Sequence, residues 1–136
     1  MTNSNHKQVE SLHKMWETFN AEPIKNLVAD EIRYKSHWVL NGLLGKEQFL
    51  DYIEKKLLNI KAAVDRGEIQ IHSSIGHIEG QDNEYYILLY HTIRGQKFES
   101  LIRVAVDGGF IVKMSIEPLK KRFNIVPMNE STNEIL

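Results

Sequence analysis

The spacing of hydrophobic residues changes about halfway along the chain. In the first half, hydrophobic residues recur every three or four positions, which is typical of amphipathic helices. In the second half they alternate with polar residues, which is typical of strands. Helices that are segregated in sequence from an antiparallel sheet predict an α+β fold.

Three helices are predicted in the first half. The first runs roughly from His6 to Asn20 and carries a stripe of four apolar residues, Val9, Leu12, Trp16 and Phe19. A short second helix begins near Pro23, because proline suits the first helical position. The third helix runs from about Lys46 to Arg66, and Gly67 stands where a helix ends in a left-handed residue.

Five strands are predicted. The first, Ile32 to Leu40, precedes the long helix and is followed by a turn from Asn41 to Gly45. The other four follow the long helix and are Ile69 to Ile78, Glu84 to Ile93, Lys97 to Val106 and Phe110 to Glu117. Short connections between them predict an antiparallel meander. The tail from Leu119 to Leu136 shows no clear period.

Together these elements predict about three N-terminal helices packed on a strongly curved, mainly antiparallel sheet of about five strands. Strand twist would curl the sheet around the helices and leave a pocket between them. No repeat or linker divides the chain, so we expect one domain over residues 1–136, with a core of about 6–118 and a tail of 119–136.

Composition excludes several classes of protein. Lysine plus arginine is 17 and aspartate plus glutamate is 18, so the net charge of −1 argues against a nucleic-acid partner. The absence of cysteine excludes disulfide scaffolds and thiol nucleophiles. No apolar run approaches the roughly 20 residues of a membrane span, so no membrane partner is expected. The polar start shows no signal peptide, and a cytoplasmic location is the simplest expectation.

Three short motifs, in this order, resemble the nuclear-transport-factor-2-like superfamily: Val28-Ala29-Asp30-Glu31, Gly45-Lys46-Glu47 and Asp107-Gly108-Gly109-Phe110-Ile111. The resemblance covers about residues 6–118 and is nearest to SnoaL-like and ketosteroid-isomerase-like members. It implies a cone-shaped roll with a cavity between the concave sheet face and the helices, and often a homodimer through the convex sheet face. Functions in this superfamily range from isomerases, dehydratases and polyketide cyclases to modules without catalysis.

Alternation along the strands assigns the residues that face the helices. In the last strand the inner set is Phe110, Val112, Met114 and Ile116, because all four are apolar. In the strand before it the inner set is Phe98, Ser100, Ile102, Val104 and Val106. For the strand that begins at Glu84, a two-residue turn would point His91 inward and a three-residue turn would point it outward. In the first strand the inner set includes Tyr34, Ser36 and Trp38.

These assignments predict a site for a small apolar or aromatic molecule, and we interpret the chain as a small-molecule-binding protein. The predicted ligand-binding residues are Trp16, Tyr34, Ser36, Trp38, His91 and Met114. The alternative for each aromatic residue is that it simply fills the core, where large aromatic side chains are common.

A second hypothesis is an isomerase, dehydratase or cyclase that acts on a polyketide-, steroid- or terpenoid-like substrate. In ketosteroid isomerases, an aspartate on the first strand is the base, and a helical tyrosine and a protonated aspartate bind the enolate oxygen. The resemblance puts Ser36 at the base position, Ile102 near the acid and Leu12, His13 or Trp16 at the tyrosine. A serine without an adjacent base cannot remove a proton from carbon at neutral pH, so no catalytic residue is assigned.

Other candidate chemistry has little support. His91 could pair with Ser36 as base and hydroxyl, but no third residue that would orient the imidazole is evident. The six histidines show no metal-ligand spacing, and no glycine-rich phosphate loop follows a strand, so no metal and no cofactor are expected. Lys120, Lys121 and Arg122 form a basic cluster that either binds an anionic partner or is simply solvated.

The outer sheet face is apolar enough to predict a homodimer through it. Its predicted apolar residues are Tyr86, Leu88, Tyr90, Leu101, Ala105 and Ile111, with a rim of Glu99, Arg103 and Lys113. An apolar patch with a charged rim is typical of an interface. A non-catalytic dimeric interaction module is therefore a third hypothesis. The alternative is that the long helix or the tail covers this face.

Overall fold

A computed structural model describes residues 4–36, 39–78, 84–118 and 125–127. It contains two α-helices, α1 (His6–Thr18) and α2 (Lys46–Asp65), and a 3-10 turn, Glu22–Ile24. Its strands are β1 (Val28–Ser36), β2 (Val39–Leu44), β3 (Ile69–Ile78), β4 (Tyr85–Ile93), β5 (Gln96–Asp107), β6 (Phe110–Pro118) and β7 (Ile125–Pro127). The α+β fold predicted from the hydrophobic pattern is confirmed.

The two long helices are confirmed, whereas the predicted second helix is only a 3-10 turn. Pro23 stands at the start of this turn, and the turn extends only to Ile24, which is fully buried. One turn is enough to bury that side chain, so the helix does not continue. Gly67, just after α2, has a φ of 76°, the left-handed conformation expected there.

The sheet has seven strands in the order β2-β1-β6-β5-β4-β3-β7, rather than about five. Every neighbouring pair is antiparallel except β1 and β6, which are parallel. The predicted meander of β3 to β6 is confirmed. The additional strands are β2 and β7, at the two edges of the sheet.

The prediction of one strand from Ile32 to Leu40 is wrong. Ser36 of β1 lies opposite Val39 of β2, so the chain reverses between them, and residues predicted as a turn belong to β2. Alternation alone did not reveal this reversal, since neither glycine nor proline marks it. Gly42 lies inside β2 with a φ of 73°, and a β-carbon there would approach the Tyr34 carbonyl oxygen to 3.0 Å.

The inner face of β4 follows from a two-residue turn. Arg94 and Gly95 both have positive φ, 52° and 79°, as a tight hairpin turn requires. Ile87 therefore lies opposite Ile102, and both are fully buried in the core under the helices. The structure therefore has the two-residue turn, and His91 points inward.

The predicted inner set of β6 is wrong at its first two positions. Ile111 is fully buried in the main core, whereas Phe110 is 49% exposed. Ala105 pairs with Lys113 but Val106 pairs with Ile111, so Val112 is an extra residue in β6. This bulge reverses the inward and outward positions of Phe110 and Ile111, which precede it. Met114 and Ile116, which follow it, keep their predicted inward positions.

The N-terminal end of α1 is fixed to the sheet by the side chain of Asn5. Regular pairing of β4 with β5 begins at Ile87 and Ile102. Past this first pair, at the open end of the ladder, the Asn5 amide nitrogen donates to the carbonyl oxygens of Tyr85 and Val104, both at 3.0 Å. The amide oxygen of Asn5 accepts from the Tyr85 backbone N–H at 2.8 Å. A buried asparagine thus bridges two strands where their own ladder stops.

Candidate functional site

Three of the predicted ligand-binding residues lie together on β1 and β6. Tyr34 is adjacent to Met114 in the parallel pairing, and Ser36 is adjacent to Ile116. Tyr34 and Met114 are each 1% exposed and Ser36 is 6% exposed. The alternation of β1 points these side chains at the helices, as predicted, because Arg33 and Lys35 between them are exposed.

Aromatic rings of α2 surround Tyr34. Its ring centre lies 5.3 Å from that of Phe49 and 5.5 Å from that of Tyr52, both in tilted arrangements. Burial raises the pKa of the Tyr34 phenol far above its usual value, and interaction with the Ser36 hydroxyl partly opposes the increase. Tyr34 is therefore a neutral hydroxyl at physiological pH.

Two predicted ligand-binding residues, Trp16 and Tyr34, each carry a polar atom that is buried in the core. Among the described residues, neither the Trp16 indole nitrogen nor the Tyr34 hydroxyl oxygen has a hydrogen bond of standard geometry. Trp16 is 3% exposed and belongs to the same core cluster as Tyr34. An unsatisfied buried polar group costs about 1–3 kcal/mol, so each atom would gain stability from a hydrogen bond.

His91 faces inward but lies away from the other predicted residues. It is opposite Phe98 on β5, with ring centres 5.2 Å apart and planes 16° from parallel. The sheet order places β6 and β5 between His91 and Ser36. Three strand spacings amount to about 14 Å. The two side chains therefore do not form the base and hydroxyl pair that the sequence left open.

Trp38, the sixth predicted ligand-binding residue, lies outside the described residues, and its role stays a prediction.

Sequence reasoning missed two residues of α2 beside the site, Tyr52 and Lys56. They line a surface groove of about 660 Å³ together with Ile60 and Ile69. The Lys56 ammonium nitrogen lies 5.8 Å from the centre of the Tyr52 ring, and burial lowers the pKa of Lys56. Phe49, Ile53 and Leu57 are the buried apolar residues of α2, and both residues lie beside them on the helix surface. The spacing of this apolar stripe could therefore have indicated Tyr52 and Lys56.

A serine–histidine–glutamate contact occurs elsewhere, between α1 and β3. The Ser73 hydroxyl and His13 Nδ1 are hydrogen-bonded at 2.8 Å, and His13 Nε2 lies 3.6 Å from Glu17. Ser73 is only 6% exposed, whereas the Glu17 side chain is 59% exposed. A nucleophile needs an open approach for its substrate, so we interpret this contact as one that joins the helix to the sheet.

The structure describes the two positions, on β1 and β5, to which the resemblance assigned isomerase chemistry. Ser36 and Ile102, to which the resemblance assigned the base and the oxyanion acid, both face the core, and neither is a carboxylate. In the described ranges, no group of three or more His, Asp or Glu side chains could hold a metal ion. No helix of the described chain is long and apolar enough to cross a membrane.

Comparison of sequences identifies no relative. No protein-family model matches the chain, and no curated protein matches it.

Comparison of structures does find similar proteins. A steroid delta-isomerase from Pseudomonas aeruginosa has a TM-score of 0.62 at 8% identity, over 89% of this chain and 85% of that one. An LEH-like epoxide hydrolase from M. tuberculosis has a TM-score of 0.56 at 15% identity, over 90% and 84%. An NTF2-like protein from Cytophaga hutchinsonii has a TM-score of 0.56 at 10% identity, over 91% and 93%. The chain therefore has the nuclear-transport-factor-2-like cone fold.

Proposed function

We propose that the protein binds a small, largely aromatic molecule with one polar group between the concave sheet face and the helices. The observation that carries this proposal is that two buried polar atoms, on Trp16 and Tyr34, make no hydrogen bond of standard geometry with the described residues. Both belong to a core cluster made otherwise of apolar side chains. A hydroxyl or carbonyl on a flat apolar molecule would satisfy one or both atoms.

Access to this site is proposed through the groove along α2. Tyr52 lines the groove and also packs on Tyr34, so it separates the groove from the buried hydroxyl. Trp16, Tyr34 and Met114 are nearly closed to water. A ligand that reaches Tyr34 from the groove must therefore move the Tyr52 ring. Rotation of a single aromatic ring is a smaller change than separation of a helix from the sheet.

The structural likeness supports binding more than a particular reaction. Two of the similar structures are a steroid delta-isomerase and an epoxide hydrolase, and a third is of unknown function. Identities of 8–15% relate the folds and not the active sites. An isomerase, dehydratase or cyclase activity stays the alternative, with Tyr34 and Ser36 as its polar groups. A cytoplasmic location and a single domain also stay predictions.

The test is the binding of 2-naphthol, with naphthalene as the comparison ligand that lacks a hydroxyl. We expect isothermal titration calorimetry to show binding of 2-naphthol, weakened roughly fivefold by Tyr34→Phe, because one hydrogen bond contributes about 1 kcal/mol. The same substitution should leave the free energy of unfolding unchanged or slightly higher, since the removed hydroxyl has no partner of standard geometry in the described chain.

Tyr90→Phe is the matched control, because Tyr90 lies with Tyr86 and Leu88 on the opposite sheet face. It should leave the affinity for 2-naphthol unchanged. The proposal is wrong if Tyr34→Phe binds 2-naphthol as tightly as the unaltered protein, or if naphthalene binds equally well.

A further inference from the structure

A groove runs along one face of α2, beside the proposed ligand site. Tyr52, Lys56 and Ile60 line it and stand four residues apart, so they share one side of the helix. Ile69, the first residue of β3, also lines it. Tyr52 and Ile60 both pack partly buried against the main core. Lys56 therefore lies between an aromatic and an aliphatic side chain, at the border between the core and the groove.

The charged side chains of the groove leave it with an excess of positive charge. Among the described residues that line it, Lys55 and Lys56 are basic and Asp51 is the only acidic one. The Lys55 ammonium nitrogen lies 3.1 Å from a carboxylate oxygen of Asp51, so these two charges largely compensate each other. Taken together, the lining favours an anionic group over a neutral or a cationic one.

The two lysines differ in their contact with water. The Lys55 side chain is 73% exposed, whereas Lys56 is half-buried. The Lys56 ammonium nitrogen lies 5.8 Å from the centre of the Tyr52 ring, within the range of a cation–π contact. Burial lowers the pKa of Lys56, because it disfavours the charged form. A cation that has already lost part of its hydration gains more from an anion than a cation in bulk water does.

The Tyr52 ring contacts both Lys56 and Tyr34. Its centre is 5.5 Å from the centre of the Tyr34 ring and 5.8 Å from the Lys56 nitrogen. That nitrogen therefore lies at most about 11 Å from the centre of the Tyr34 ring, which is the sum of the two distances. A flat molecule that displaces the Tyr52 ring would reach Tyr34 with one end and Lys56 with the other.

We propose that Lys56 binds an acidic group of the ligand, so that the site takes an aromatic acid. The carboxylate pairs with the Lys56 ammonium, and the ring system takes the place of the Tyr52 ring. This inference rests on the proposed function, because the ligand must reach the site from the groove. Lys56 is then the residue that selects the ligand by its charge. The alternative is that the aliphatic part of Lys56 only covers the Tyr52 ring and keeps the ammonium in water.

The charge of the ligand is tested with two molecules of nearly the same shape, 6-hydroxy-2-naphthoic acid and its methyl ester. The acid is ionised at neutral pH, whereas the ester carries no charge. We expect isothermal titration calorimetry to show that the acid binds roughly tenfold more tightly than the ester, because a hydrogen bond between charged groups is stronger than a neutral one. Raising the salt concentration should reduce this preference, since salt screens a partly exposed ion pair.

The variant Lys56→Met tests whether this residue provides the preference, because methionine keeps an unbranched apolar side chain beside Tyr52. In this variant the acid and the ester should bind equally. The matched control is Lys61→Met, which removes the same charge from α2 at an exposed residue that pairs with Asp65 at 3.0 Å. It should keep the roughly tenfold preference for the acid.

The results for the neutral ligands separate this proposal from the proposed function. If 2-naphthol and the ester bind but the acid binds no more tightly than the ester, Lys56 does not select an acid, while the ligand site stands. A preference for the acid that survives in Lys56→Met also overturns the proposal. If 2-naphthol, the ester and the acid all fail to bind, both the ligand site and the role of Lys56 are contradicted.

Discussion

Single polar side chains fix the position of α1 on the sheet. Asn5 makes three hydrogen bonds to the backbones of β4 and β5 while only 5% exposed. Asn5→Ala should lower the free energy of unfolding by about 1–3 kcal/mol, because the replacement leaves buried backbone groups unpaired. Urea denaturation measures this difference. Asn59→Ala, at an exposed position of α2, is the control, and an equal loss in both variants would contradict this role of Asn5.

Tyr86 should make stability fall at alkaline pH. Burial, helped by its 2.6 Å hydrogen bond to Glu84, raises the pKa of Tyr86 from 10.0 to about 12. Between these values the unfolded chain loses the phenol proton while the folded protein keeps it, so stability decreases as pH rises from about 10 to 12. Tyr86→Phe should flatten this decrease in unfolding free energies measured across that range. An unchanged slope would mean that the Tyr86 phenol reaches water.

At the residue scale, alternation predicted which side chains of β1 and β6 point at the helices, but not which helix residues they contact. Tyr34, Ser36 and Met114 were placed correctly because β1 and the end of β6 are regular. Tyr52 was missed because its contact with Tyr34 depends on how α2 rotates over the sheet. Whether any of these residues binds a ligand stays a prediction.

At the scale of elements, the bulge in β6 predicts how two neighbouring alanine substitutions change the free energy of unfolding. Ile111 is fully buried and Phe110 is 49% exposed, the reverse of regular alternation. Ile111→Ala should therefore cost about 2–5 kcal/mol of unfolding free energy, and Phe110→Ala less than about 1 kcal/mol. Thermal and urea denaturation of the two variants measure the difference. A larger loss for Phe110→Ala would show that Phe110 faces the core, as regular alternation predicts, and that β6 has no bulge before Lys113.

The same scale shows which elements a hydrophobic pattern can predict. The helices α1 and α2 and the strands β3 to β6 were predicted to within a few residues, because glycine or another turn residue separates strong periodic runs. The β1–β2 hairpin was missed, because alternation continues through a reversal that no glycine or proline marks. The three-residue β7 was missed because a strand so short has no detectable period.

For the whole molecule, the sheet order separates two hydrophobic regions with different roles. The main core joins both helices to the sheet and holds the proposed ligand site, and a second hydrophobic cluster of Tyr86, Leu88 and Leu101 lies on the opposite face. Alternation placed Tyr86, Leu88 and Leu101 on the outer face correctly, but it also placed Ile111 there, which is wrong because Ile111 belongs to the main core.

The most direct test of the proposed site is the indole N–H signal of Trp16 in a ¹H–¹⁵N spectrum during titration with 2-naphthol. The chain has two tryptophans, and Trp16→Phe identifies the signal by its loss. We expect 2-naphthol to shift the Trp16 indole proton downfield as it gains a hydrogen-bond acceptor, and naphthalene to cause a smaller change of different direction. An indole signal that stays fixed while 2-naphthol binds, or no binding at all, would contradict a ligand site between the sheet and the helices.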